Sequence, residues 1–172
     1  MQSVAQGARM SDQSKLIMGL DLSLTGTGIV VIDQDGRVKL HSEVGFSLTR
    51  QSSQAKRIER LLHISREILR VANDLKVTDV GIENYAFRAK GAQNDLGELH
   101  GTVKTQLYLR GIVAEYLAPT EARKLVFNTG KRVDKKQVIG LLEEMGFTYT
   151  SHNIADAHVI AEAYRRKMLK NE

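Results

Sequence analysis

From Lys15 onward the chain alternates short apolar runs with turn signals, then changes to helical spacing. KLIMGLDLSL (15–24), the turn TGTG (25–28) and IVVID (29–33) read as two strands paired across a tight connection. Asp35-Gly36 makes a second tight turn, and RVKLHSEVGF (37–46), with its rough alternation of polarity, completes a three-stranded antiparallel meander. Across Gln51–Asn73 the period changes: Ile58, Leu61, Leu62, Ile68, Leu69 and Ala72 recur at helical spacing, with Arg57, Glu59, Arg60 and Arg66 elsewhere on the wheel. VTDVGIE (77–83) reads as a strand, 94–111 as a helix, GIVAEYL (111–117) as a strand and 119–125 as a short helix led by Pro119. Asp134 is placed to cap a helix over 135–145 that Gly146 ends, and a last helix runs from about Ile154 to Met168.

Three antiparallel strands feeding two strand–helix units predict an α/β fold. Its mixed five-stranded sheet has three antiparallel strands, then parallel ones, and helices on both faces. This is the RNase H-like layout, whose opening strands the actin-like ATPase fold shares. Residues 1–14 are polar, Gln/Ser-rich and aperiodic, so they read as a flexible tail in which Met10 is an alternative start. With no internal repeat, no linker and Pro119 as the sole proline, residues 15–172 form one expected domain.

Composition narrows the setting. An apolar share of 42% is ordinary for a globular chain. No apolar run approaches the roughly 20 residues that cross a bilayer, and MQSVAQGARMSDQSK lacks the apolar centre of a signal peptide. With no cysteine, disulfides and thiolate metal sites are excluded, and a soluble cytoplasmic protein is expected. The net charge of +5 is concentrated: Lys104–Gln137 holds eight Lys/Arg against Glu115, Glu121 and Asp134, so the remainder sums to zero. Such a stretch either faces a polyanion or is a solvated face.

Three acids stand out. Asp21 interrupts an apolar strand (Ile17, Met18, Leu20, Leu22) and Glu83 closes another; each is either a solvated strand-end acid or a buried one needing a partner or a metal. Asp156 falls in the first turn of the last helix, where it is either a ligand or the N3 partner of an Asn153 cap. Its helix carries small residues (Ala155, Ala157, Ala161, Ala163) suited to close packing. Three converging carboxylates suit Mg²⁺ or Mn²⁺, and a pair of ions about 4 Å apart activates water and stabilises a leaving oxygen.

These motifs, in order, resemble the RuvC-type Holliday junction resolvases of bacteria and phages over residues 16–166. GLDLSLTGTGIVVID (19–33) is similar to the first family motif, with Asp21 as metal ligand, and IENYAF (82–87) to the second, with Glu83. NDLGELHGTVK (94–104) resembles the family's central helix, DKKQVIGLLEEMG (134–146) the helix whose lysine approaches the scissile phosphate, and IADAHVIAEA (154–163) the last motif. The resemblance makes Asp21, Glu83, Asp156 and Lys135 (or Lys136) catalytic. The family's further acid or histidine, three residues before the final aspartate, is here Asn153, with His152 beside it; either supplies the fourth ligand. His158, about 200° around the helix from Asp156, belongs outside the site.

The resemblance also implies an aromatic that stacks on a base after the second motif, a role for Tyr85 or Phe87, the other packing at the sheet edge. Arg88, Lys90, Lys104, Arg123, Lys124, Lys131, Arg132 and Lys136 are expected on the DNA backbone. It further implies a homodimer presenting two sites to a four-way junction, with two Mg²⁺ or Mn²⁺ per site, in recombination and repair or phage DNA processing. The products would carry 5′-phosphate and 3′-hydroxyl ends. Leu96, Leu99, Val103 and Leu107 are either the dimer contact or core. Two rivals stay open: a fork or flap debranching nuclease, and a nucleotide-binding protein of the actin/sugar-kinase class, for which DLSLTGTG would be the phosphate hairpin.

Overall fold

The computed structural model describes residues 15–84, 93–129 and 132–170. The expected tail at 1–14 lies outside them. The chain opens with strands β1 (Ile17–Asp21), β2 (Thr27–Ile32) and β3 (Val38–Val44), followed by helix α1 (Gln54–Asp74) and strand β4 (Asp79–Glu83). Helix α2 (Gln93–Tyr108), strand β5 (Glu115–Leu117) and helices α3 (Pro119–Phe127), α4 (Lys135–Glu144) and α5 (His152–Leu169) complete it. The five strands lie in the order β3-β2-β1-β4-β5, with β1–β2 and β2–β3 antiparallel and β1–β4 and β4–β5 parallel.

Alternation along the strands divides the core. Met18, Leu20, Ile29, Val31, Val80 and Ile82 pack with Leu61, Ile64 and Ile68 of α1 and Leu99, Val103 and Leu107 of α2. Ile17, Val30 and Ile32 point the other way, against Ala157 and Ala161 of α5. A second cluster joins α5 to α3 and α4 through Val126, Val138, Leu142 and Val159. Because Leu99, Val103 and Leu107 are at most 1% exposed, they belong to the core and are not free to form a dimer contact. On α1, Leu61, Ile68, Leu69 and Ala72 are buried, whereas Ile58 and Leu62 are exposed.

Element ends differ from the periodicity where turn chemistry intervenes. The expected helix 94–111 stops at Tyr108, since Arg110 N and Gly111 N donate to Leu107 O and Tyr108 O in a tightening turn and Gly111 takes a φ of 79°. The strand read from residue 111 therefore begins only at Glu115. Asp134 is the N-cap of α4 as expected, and Gln137 Oε1 accepts from its amide at 3.0 Å. Among the described residues no helix is long and apolar enough to cross a membrane.

Candidate active site

Asp21 ends β1 and Glu83 ends β4, and these parallel neighbours pair Leu20 with Ile82 one residue earlier. Odd-numbered positions of both strands face α5, so the two carboxylates emerge side by side on the α5 face, at the carboxyl ends of their strands. The helix comes close because two facing residues lack side chains. A Cβ on Gly19 would lie 2.1 Å from Ala157 O, and one on Gly28 would lie 2.0 Å from Asn153 O. This backbone-to-backbone seat brings Asp156, 1% exposed, to the two strand ends.

The cap of α5 decides how Asp156 is read. Ser151 is the N-cap, its Oγ accepting from Asn153 N at 3.2 Å and Ile154 N at 3.5 Å. Asn153 is thus inside the helix rather than its cap. Asp156 stands too far along to return a capping bond, which removes the capping alternative.

Two cations meet the acids. Lys135 Nζ, from the first position of α4, lies 2.9 Å from Asp156 Oδ2 and 3.7 Å from Asp21 Oδ2. Asp156 Oδ2 is buried, and the Lys135 ammonium is the cation that faces it. Arg123 of α3 places Nη2 3.0 Å from Asp156 Oδ1 and donates through Nη1 to Val133 O at 3.3 Å. Expected on the DNA backbone, Arg123 instead has a side chain only 12% exposed, on the floor of the acidic centre.

The acids carry an electrostatic load. Burial, reinforced by Asp156, lifts the Asp21 carboxyl to about 6 although Lys135 and Arg123 oppose it. Glu83 is pushed to about 8 by burial and then by Asp21 and Asp156, against the same two cations. Partial burial works against the charge on Lys135, yet Asp156, Asp21 and Glu83 together hold its pKa above the ordinary lysine value.

This donor set fits a hard divalent cation in its chemistry: three carboxylates, two of them raised in pKa first by burial and then by their acidic neighbours, and a buried Asp156 oxygen whose partner is the half-exposed Lys135 ammonium. As the side chains stand, no group of three His, Asp or Glu among the described residues is arranged to hold an ion. Lys135 Nζ lies against Asp21 and Asp156, and its side chain is 50% exposed, so it has room to swing out.

The other expected residues are more scattered. Lys124, Arg132 and Lys136 are exposed around α3 and α4, while Lys104 is exposed on α2, across the sheet from α5. Tyr85, Phe87, Arg88, Lys90 and Lys131 lie outside the described residues. His152 is exposed at the start of α5; Asn153 is partly buried and donates from Nδ2 to Glu43 Oε1 at 3.1 Å. His158 is buried outside the centre, its Nδ1 2.8 Å from Tyr149 Oη and its pKa lowered to about 4 by burial. Glu43 was not anticipated. It falls at an outward polar position of an edge strand, and only the register Asp21↔Gly28↔Glu43 places it on the face of the site.

A sequence model of the family described as crossover junction endodeoxyribonuclease RuvC matches residues 17–163. A crossover junction endodeoxyribonuclease RuvC from Chlamydia felis (strain Fe/C-56) is 26% identical over 156 residues, spanning 86% of this chain and 90% of the relative. The solved structure of T. thermophilus RuvC in complex with Holliday junction substrate matches with a TM-score of 0.76 at 20% identity, over 91% of this chain and 96% of that one. The yeast mitochondrial Holliday junction resolvase Ydc2 gives 0.65 at 12% identity, over 92% and 81%. The structural likenesses establish the RNase H-like fold, with its three antiparallel and two parallel strands. The family model covers the segments that bear Asp21, Glu83, Lys135 and Asp156, and the chain belongs to the family of the crossover junction endodeoxyribonuclease RuvC.

Proposed function

We propose that the chain is a divalent-metal-dependent endonuclease that hydrolyses DNA phosphodiesters at four-way junctions. The observation that carries this is the meeting of Asp21, Glu83 and Asp156 at the ends of β1, β4 and the start of α5, beside Lys135. The Holliday junction substrate bound by the T. thermophilus relative and the junction DNA bound by the fowlpox virus resolvase support the choice of substrate. Recombination and repair in the cytoplasm are the setting that fits such a substrate.

Asp21, Glu83 and Asp156 would hold Mg²⁺ or Mn²⁺, with Asn153 preferred over the exposed His152 as the fourth ligand. Bound there, a pair of such ions would supply an activated water and charge at the leaving oxygen. The remaining work falls to the chain itself. Arg123 holds Asp156 by one carboxylate oxygen, leaving the other toward the acids and Lys135. Lys135, anchored at one end and half-exposed at the other, is placed to move from Asp156 to an incoming phosphate and offset charge developing on it. Lys124, Arg132 and Lys136, exposed near the same edge, would grip the backbone and make binding salt-sensitive.

A homodimer would present two such sites to opposed strands. The face suited to it is the groove between α1 and α2, where the exposed Ile58 and Leu62 adjoin Gly101 and Thr105.

Labelled four-way junction, fork and linear duplex, each incubated with Mg²⁺, Mn²⁺ or EDTA, test the proposal. Junction cleavage that needs the metal and is lost in Asp156→Asn is expected. Cleavage that persists in EDTA would sink the mechanism, and preference for the fork would move the substrate to debranching.

A further inference from the structure

Glu43 has no part in the chemistry proposed above, yet it reaches the first turn of α5, the helix that carries Asp156, from across the sheet. Asp21 on β1 pairs with Gly28 on β2, and Gly28 pairs with Glu43 on β3, so the three share one face in one row. The middle member has no side chain, and the first turn of α5 lies in that gap, with Asn153 O where a Cβ of Gly28 would be. Gly26 opens the space beside it: a Cβ there would lie 2.3 Å from Glu43 Oε1 and 2.7 Å from Asn153 Nδ2.

Through that opening the Glu43 carboxylate makes two bonds. Oε2 accepts from Ser151 Oγ, the N-cap hydroxyl, and Oε1 accepts from Asn153 Nδ2 at 3.1 Å. Donating its only proton to Glu43 leaves the Ser151 oxygen free to accept from Asn153 N and Ile154 N. The negative charge also sits at the positive end of α5.

The second bond has a consequence for the Asn153 amide. A carboxylate only accepts, so it dictates which branch of the amide turns toward it: nitrogen to Glu43, leaving Oδ1 as the branch not bonded there. We propose that Glu43 is a positioning residue that fixes the Asn153 amide with its oxygen available to a divalent cation at the acidic centre, while tying the first turn of α5 to the β2–β3 hairpin. This rests on the metal-dependent reading of that centre.

Glu43→Gln is the informative variant. It keeps the shape but can donate as well as accept, so the amide of Asn153 is no longer held in one orientation. Calorimetric titration of the full chain with Mn²⁺ should show the dissociation constant rising about 10-fold in Glu43→Gln. The same substitution in an Asn153→Ala background should add nothing, because Glu43 acts through Asn153. Melting curves confirm that each variant is folded at the titration temperature. Unchanged Mn²⁺ affinity in Glu43→Gln, or full additivity of the two substitutions, overturns the proposal, while loss of binding in Asp156→Asn shows that the acidic centre itself stands. Mn²⁺ binding by Asp156→Asn equal to that of the parent chain overturns both readings.

Discussion

Arg123 Nη2 and Asp156 Oδ1 are 3.0 Å apart, and their side chains are only 12% and 1% exposed. A pair so deeply buried is costly to break from one side, because Asp156 is left away from water with Lys135 alone to offset its charge. Arg123→Ala is therefore expected to lower unfolding stability by up to about 3 kcal/mol, the lower end for a buried pair because Lys135 stays beside Asp156, as measured by denaturant titration. It should leave the salt dependence of DNA binding unaltered, whereas Lys124→Ala, at an exposed position, should reduce the slope of log K against log salt by about 1. A reduced slope in Arg123→Ala would return that residue to the DNA face.

Glu83 carries a pH signature. Its folded pKa of about 8 lies above the ordinary 4.5, so between those values the folded state binds more protons than the unfolded chain. Stability contributed by this group is then present at low pH and lost as pH rises from about 4.5 to about 8. Asp21 acts in the same direction over a narrower window, up to about 6. In EDTA, Glu83→Gln should raise the melting temperature at pH 9 and change it little at pH 4, at about 2–4 °C per kcal/mol for a chain of this size. A melting temperature at pH 9 no higher than that of the parent would count against the raised pKa.

Lys135 separates metal holding from catalysis. Its ammonium lies against Asp21 and Asp156 without being part of the oxygen set. Lys135→Ala should bind Mn²⁺ at least as tightly as the parent while single-turnover junction cleavage slows about 100-fold or more. Weaker Mn²⁺ binding in this variant would show the lysine to be supporting the site rather than competing in it.

Gly19 supplies a test of the scaffold alone. Alanine there would place Cβ 2.1 Å from Ala157 O and 2.5 Å from Ala161 N, both of them backbone atoms that cannot rotate away. The expected cost is about 3 kcal/mol, at the upper end for an overpacked core. Gly140→Ala in α4, where a Cβ meets nothing within 4 Å, is the control and should be neutral or stabilise by up to about 1 kcal/mol, since alanine favours the helix.

The strands and helices were legible because hydrophobic spacing reports which face is buried. The hairpin glycines and the Asp134 cap were legible because turn chemistry is local. What spacing did not reveal were end points set by hydrogen bonds between neighbours, such as the arrest of α2 at Tyr108 by the Gly111 turn. Asp21, Glu83, Lys135 and Asp156 could be picked out from motif order, and the fold brings them together. Arg123 read as one basic residue among many, since its burial depends on how α3 packs against α5. Glu43 was invisible for a related reason: its partners Ser151 and Asn153 are more than a hundred residues away, and only strand register connects them.

The absent side chains at Gly19 and Gly28 have a wider consequence. Main chain rests on main chain at both points, so the spacing of α5 from β1 and β2 is set there largely by backbone atoms. A change in the aliphatic layers must displace these backbone contacts before it moves the carboxylates of Asp21 and Asp156 apart. The mount is intolerant of a side chain at two positions, which ties the alignment of the centre to the backbone itself.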